Sequence, residues 1–484
     1  MSQRAGIQIG RRMFIQSMAI LFLLMMVAGV LTLVVPAGQY TRITSDGHEM
    51  IDPTSFRTIP RPDYPVWRWF LAPLEVLVAP GNVTLIAIIV FLLFIGGSFA
   101  VLENCGLIHA LLARIIARFA AHKYALLLAI SLLFMLMGAF FGIFEEVVPL
   151  VPVAIALAYS LGWDALTGLG MSILAVNLGF SAAVTNPFTI GVAQELAGLP
   201  LFSGAGLRVA IFGVMYVLLA LFLTRYARRI ERDPQASPIY GEDGADRDRG
   251  RFRPGTFPAT AMDNRRLNRA LGWFGACLVL ILATLFGAPF VPALSDYALP
   301  IVGVLFLVAG LGAGLVSGAG RKVWAALGQG MLGILPAIPL ILMAASVKQI
   351  VTKGAILDTI LHWAAAPLSS ASPFATAILV YNLALLIEFF VASGSAKAFL
   401  VMPILLPLAD LVGMTSQVTV LAYCFGDGFS NLMYPTNPVL LICLGLTTVR
   451  YSKWLAWSLP LWLVVIAVSV AFLGLAVAIG HGPF

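Results

Sequence analysis

Long apolar runs restrict this chain to folds built inside a membrane. Met13–Pro36, Val83–Leu102, Tyr124–Ile143, Val209–Thr224, Leu271–Phe290 and Leu455–Ile479 carry few charges. Each is close to the roughly 18–20 residues that take a helix across the hydrocarbon core. Charged residues are only 11% of the chain, against roughly a quarter in soluble domains. So many spans exclude a protein held by one anchor. Met13–Pro36 follows Arg4, Arg11 and Arg12 as a signal peptide would. It is too long for such an apolar core and lacks a small-x-small cleavage site, so it is expected to remain as a span.

The formal charge of +7 has a topological cause and is no sign of nucleic-acid binding. Arg225, Arg228, Arg229 and Arg232, then Arg247, Arg249, Arg251 and Arg253, then Arg265, Arg266 and Arg269 gather between two spans. Basic residues concentrate in cytoplasmic loops. Arg321 with Lys322 and Arg450 with Lys453 agree with one orientation, a multi-pass protein of the bacterial inner membrane with its N-terminus cytoplasmic. Residues 37–65 then form a polar outer loop, and Gly106–Ala121 is a cationic amphipathic stretch lying on lipid at the inner surface. Residues 230–267, rich in Asp, Arg, Gly and Pro, read as a flexible cytoplasmic linker. Gly354–Pro367 reads as an amphipathic segment on the outer surface. Cys105, Cys277, Cys424 and Cys443 lack metal-ligand spacing and read as small core residues, not a disulfide set.

The chain also resembles itself. Ser98–Ile108 aligns with Ser346–Ile356, matching Gly106 to Gly354. Pro152 precedes Asn186 by the spacing that separates Pro403 from Asn437, and both asparagines sit in a Thr-Asn-Pro tripeptide. In the assigned orientation Val83–Leu102 descends whereas Gly328–Val351 ascends. Inverted-topology repeats are characteristic of secondary transporters, with the binding site near the bilayer midplane. The expected fold is an all-α polytopic membrane protein with two inverted-topology repeats, each holding a re-entrant hairpin and a broken transmembrane helix. The first repeat covers residues 1–229, with a hairpin at 124–161 and a broken helix at 163–200. After the linker, residues 268–484 hold a connecting span and the second repeat, with a hairpin at 372–412 and a broken helix at 416–449. Gly310, Gly314 and Gly318 form a small-residue stripe suited to close helix packing.

Two polar interruptions in each copy can carry chemistry. The hairpin tips hold Gly142, Glu145 and Glu146 in the first copy and Ser393, Gly394, Ser395 and Lys397 in the second. The breaks hold Thr185, Asn186, Pro187 and Thr189, then Asp427, Ser430, Asn431, Thr436, Asn437 and Pro438. Proline removes a backbone donor and clashes with the preceding turn. Irregular backbone at that depth survives only when it is buried in protein or lines a cavity. Freed carbonyls with Thr, Ser and Asn oxygens suit Na+, here at Glu146, Thr185, Asn186, Ser395, Thr436 and Asn437. Half-helix N-termini suit a carboxylate. The expected coupling ion is therefore Na+ or H+, with no resident cofactor, and the expected partner is a small carboxylate-bearing substrate.

Charges inside a bilayer cost roughly 2.5–3.5 kcal/mol each on insertion scales, so Glu145, Glu146, Glu388, Lys397 and Asp427 should face a cavity or each other. Glu145 and Glu146 suit a coupling cation or a proton. Lys397 suits a substrate carboxylate or a structural pair, for example with Glu146. Lys348 and Glu103, near span ends, read as snorkelling side chains. No Walker-type loop and no His-Glu-x-x-His set occurs, which argues against an ATP-driven pump and against an enzyme.

Gly142-Ile-Phe-Glu145-Glu146, Thr185-Asn186-Pro187-Phe-Thr189-Ile-Gly191, Gly198-Leu-Pro200-Leu-Phe-Ser-Gly204 and Phe425-Gly-Asp427-Gly-Phe-Ser430-Asn431 resemble segments of the YfcC/DcuC carriers of the ion-transporter superfamily. The resemblance extends over nearly the whole chain from Met13. It implies a scaffold domain and a transport domain, a homodimer, an elevator-type motion and a carboxylate-bearing substrate coupled to Na+ or H+. Thr436-Asn437-Pro438 and Lys397 depart from that family's pattern at the expected site. The leading expectation is a cation-coupled carrier of C4-dicarboxylates or amino acids, with the added lysine favouring an anion. A basic amino-acid exchanger and a passive anion channel are the alternatives.

Overall fold

The computed structural model describes residues 11–45, 48–79, 83–108, 110–111, 114, 122–243, 265–287 and 292–482. The chain is overwhelmingly helical, and among the described residues nine helices are long and apolar enough to cross a membrane. One group of helices packs mainly on itself. Val83–Asn104 lies against Pro292–Val316 and Lys322–Ile334, Arg265–Gly287 packs on Pro292–Val316, and Ala337–Lys353 packs on Arg11–Val34 and Trp67–Val78. Gly310 and Gly314 bring the first of these pairs into close approach, since a Cβ on Gly310 would lie 2.6 Å from Ser98 Cβ. Gly318 does not share that role. It sits beyond the helix end in a left-handed turn, with φ +87 beside Arg266.

The second group presents one element order twice. Lys123–Phe141 and Val151–Ser160 flank an irregular tip, as Pro373–Glu388 and Gly394–Leu411 do later. An interrupted helix follows in each case: Ala165–Ala182 broken before Pro187–Leu196, and Ser416–Phe429 broken before Pro438–Gly445. A long helix then closes each half, Ala205–Arg232 and Tyr451–Ala478. The interrupted helices occupy the centre. Every residue from Ala165 to Val184 is buried inside the protein, whereas only 22% of the most apolar part of Arg265–Thr284, on the periphery, is buried. Free backbone groups at a break need protein partners where water is excluded, so this placement is what the breaks demand.

Several peripheral expectations change. Residues 37–65 are not a plain loop: Gly38–Gln39 pairs with Arg57–Thr58 and Arg42–Ser45 with His48–Ile51, both antiparallel. These ribbons dock on Leu357–Ala365, where Asp358 accepts from Tyr40 N and Arg42 Nη2, each at 2.9 Å. The Gly354–Pro367 segment therefore lies partly under protein, with Leu361 fully buried. The amphipathic stretch Gly106–Ala121 falls largely outside the described residues, as do residues 244–264 of the linker. The beginning of the linker is a packed strap, not a flexible one. Ser237 Oγ donates to Asp164 Oδ2 at 2.7 Å, Asp243 accepts from the Tyr159 hydroxyl, and Glu242 pairs with Arg450. Ile239 and Asp243 are buried beneath it. Composition missed this because buried Ser and Asp partners lie far away in sequence.

Candidate functional site

The first break begins where Ala183 closes its half-helix in a left-handed conformation, φ 43. Only specific surroundings hold a non-glycine residue there. Thr185 then turns back to the hairpin: its N donates to Ala139 O at 3.1 Å and its Oγ1 to Phe140 O at 3.0 Å. Asn186 opens the next half-helix, its Oδ1 accepting from Phe188 N at 2.9 Å and Thr189 N at 3.3 Å. Pro187 follows at the first helical position, where its missing N–H costs nothing. The second break ends identically. Asn437 Oδ1 accepts from Val439 N at 3.0 Å and Leu440 N at 3.4 Å, and Pro438 occupies the first position. Both Thr-Asn-Pro motifs are thus helix starts, each satisfying orphan donors through an asparagine cap.

Gly142 explains how tip and break fit together. Its φ of +68 ends the helix Lys123–Phe141, and a Cβ there would lie 2.7 Å from Phe188 Cδ2 and overlap Asn186 Oδ1. Gly394, at the other tip, approaches the opposite break: its Cβ would lie 2.8 Å from Thr189 Cγ2 and 3.1 Å from Asp427 Oδ2. Tyr423 holds that tip through a 2.6 Å bond to Gly394 O. The half-helix after the first break packs on Gly394–Leu411, and Pro438–Gly445 packs on Glu145–Leu150. Each tip therefore meets a half-helix of the other copy.

Charge is arranged differently from the expectation. Lys397 pairs with Glu388 and Asp427 rather than with Glu146, with Nζ 2.8 Å from Asp427 Oδ1. All three side chains are at most 1% exposed. Two carboxylates outweigh one ammonium, so Lys397 offers no net positive charge to a substrate. Glu146 instead accepts from Phe144 N at 3.2 Å, and both Glu145 and Glu146 are half-buried at the first tip. Ser393 is exposed and Ser395 half-buried. Ser430 Oγ bonds Gly426 O in its own helix at 3.0 Å, and Asn431 Oδ1 accepts from Asn437 Nδ2 at 2.9 Å. Asn186 Nδ2, Thr189 Oγ1 and Asp427 Oδ2 are buried without a hydrogen-bond partner among the described residues. Unpaired buried polar atoms cost free energy, so these three leave unmet hydrogen-bonding capacity at the junction.

Sequence reasoning left out three contributors. Glu388 was visible only as one intramembrane charge among several. Ser181 touches Gly428, so the two broken helices are in direct contact. Arg208 is 1% exposed and grips the first break through backbone carbonyls: Nη1 to Ser203 O at 2.8 Å, Nη2 to Phe202 O at 3.0 Å and to Val184 O at 3.2 Å. Its signal was an arginine opening an apolar run directly after the Gly198–Gly204 loop.

Membrane-length helices around two buried, interrupted helices make this a multi-pass membrane protein, and its family makes it a transporter and not an enzyme. The chain belongs to the C4-dicarboxylate anaerobic carrier (DcuC) family, which it matches over residues 14–478. It is 30% identical to the Escherichia coli (strain K12) protein named "Putative basic amino acid antiporter YfcC", over 91% of each chain. It is 26% identical to an uncharacterized protein of Haemophilus influenzae, covering 79% of this chain and 73% of that one. Against the solved structure of the Alcanivorax borkumensis YdaH transporter it is 19% identical, with coverage of 97% and 98% and a TM-score of 0.42.

Proposed function

We propose that this protein is a secondary active transporter of a basic amino acid, coupled to a cation gradient. The carrying observation is that Lys397 is cancelled by Glu388 and Asp427. With that lysine neutralised, Glu145 and Glu146 leave the centre acidic, which favours a substrate bearing a cation. The name of the relative YfcC agrees with that reading. The α-carboxylate of the same substrate would be met by Asn186 Nδ2, buried without a partner among the described residues at the start of a half-helix whose dipole is positive. Two inverted repeats moving as an elevator-type unit, in a homodimer of the inner membrane with cytoplasmic N-termini, complete the proposal.

A second reading is a C4-dicarboxylate, favoured by the two capped half-helix N-termini and by the family's description. Uptake of labelled arginine, ornithine and succinate into proteoliposomes distinguishes them. Arginine or ornithine uptake that shows counterflow supports the first reading. Succinate uptake with neither basic amino acid overturns it, and flux without counterflow would indicate a passive pore.

A further inference from the structure

We infer that Glu388, Lys397 and Asp427 form a proton site in which the lysine ammonium stands where a free metal cation would otherwise bind, so that a proton, not Na+, completes the charge of the transport centre. The inference deepens the transport reading above by naming the coupling ion.

Three separate elements converge to build the site. Glu388 ends the helix Pro373–Glu388, Lys397 lies in the first turn of Gly394–Leu411, and Asp427 belongs to Ser416–Phe429 beside the second break. Side-chain exposure is 0% for Lys397 and 1% for each acid. An ammonium has three donors and no acceptor, so it bridges both carboxylates as a small hard cation would. A fixed cation in that position repels a second one.

The charge does not close, however. Two carboxylates and one ammonium leave one negative charge in a water-excluded interior, where an uncompensated charge is strongly unfavourable. Glu388 Oε1 and Asp427 Oδ2 also lack hydrogen-bond partners among the described residues. One proton on either acid neutralises that excess charge. Glu145 from the first hairpin, itself beside Glu146, acts electrostatically on Asp427 with the same sign and does not relieve the excess. Tyr423 is committed to Gly394 O and adds no charge.

Of the oxygens expected to hold Na+, Asn186 Oδ1 and Asn437 Oδ1 each already accept from two backbone N–H groups, so neither asparagine oxygen is free for a metal cation. The bound cation of this centre is thus Lys397 itself, and the exchangeable one is the proton.

Infrared difference spectroscopy on the purified full-length protein in nanodiscs tests this without any substrate. A carboxylic-acid C=O band should rise on acidification, be absent in Glu388→Gln or Asp427→Asn, and be indifferent to replacing choline by Na+. Persistence of the whole band in both variants would overturn the inference, as would a saturable Na+ stabilisation of the wild type that Asp427→Asn abolishes. In Lys397→Met the vacated position should accept Na+, raising the melting temperature by several degrees relative to choline; a folded variant indifferent to Na+ counts against the inference. If that variant does not fold, the infrared comparison still decides. Because neither readout uses a substrate, failure here is separate from failure of the basic amino-acid reading.

Discussion

Gly428 of the second broken helix rests on Ser181 of the first, so closely that a Cβ would lie 2.7 Å from the serine Cβ. The half-helices that lead into the two breaks are therefore in close contact, with Ser181 packed directly on the bare backbone of Gly428. Gly428→Ala should destabilise the protein by about 1–3 kcal/mol, the usual cost of overpacking a filled interior. Gly213, which has open space around it, provides the control, and Gly213→Ala should leave the melting temperature unchanged or higher. Equal melting temperatures for the two variants would contradict this contact.

The asparagine caps predict a paired effect. Asn186→Ala and Asn437→Ala each remove an oxygen that caps two backbone donors, costing about 0.5–2 kcal/mol of stability. Asn186→Asp keeps a capping oxygen and should restore stability. Thermal unfolding of the three variants, read beside arginine uptake, separates the cap from substrate contact: restored stability without restored uptake would assign Asn186 Nδ2 to the ligand.

Removing Lys397 leaves two buried carboxylates facing each other. Lys397→Met should cost about 3–5 kcal/mol in Na+-free buffer, as breaking a buried ion pair does. Lys397→Met combined with Glu388→Gln removes one charge of each sign and should recover a large part of the loss. Chemical or thermal unfolding of the single and double variants gives the coupling, and additive losses would argue against the triad.

The strap after Arg232 should matter for stability. Asp243 ties together Tyr159, Ala165 N at 3.4 Å and Thr448 Oγ1 at 3.4 Å, so it spans both copies of the repeated element order. Asp243→Ala removes the acceptor these groups share, a loss of about 1–3 kcal/mol per group at most. Faster limited proteolysis near residues 233–243 would register the released strap; unchanged cleavage and melting temperature would contradict it.

His481 gives a pH signature outside the spans. Burial, and then the Arg208 guanidinium, hold its imidazole below the usual 6.5. Just below that value the unfolded chain binds more protons than the folded one, so stability rises with pH through that window and falls on acidification. His481→Gln should flatten this part of the melting-temperature profile without altering the alkaline side.

The legible part of the fold was whatever depends on local chemistry. Apolar runs announced the spans because helix length must match bilayer thickness. The two Thr-Asn-Pro motifs announced the breaks because proline cannot continue a helix and asparagine caps one. Gly310 and Gly314 announced close packing, whereas Gly318, of the same spacing, turned out to lie past the helix end, where a stripe has no meaning. Residues 233–243 looked unstructured because their order comes from Asp164, Tyr159 and Arg450, distant groups that no window of sequence contains.

By itself, then, the sequence determined a multi-pass helical chain, interrupted at Asn186 and Asn437, with charges that had to find partners inside. Only the tertiary structure decided which partners. Lys397 stood as a candidate for a substrate carboxylate or for Glu146; packing gave it Glu388 and Asp427 instead. The reason is physical: Coulombic pairing in a low-dielectric interior is set by distances of a few ångströms, and those are fixed when helices from different parts of the chain meet. The sign of the site was therefore a property of the fold, although every charge in it could be read from the sequence.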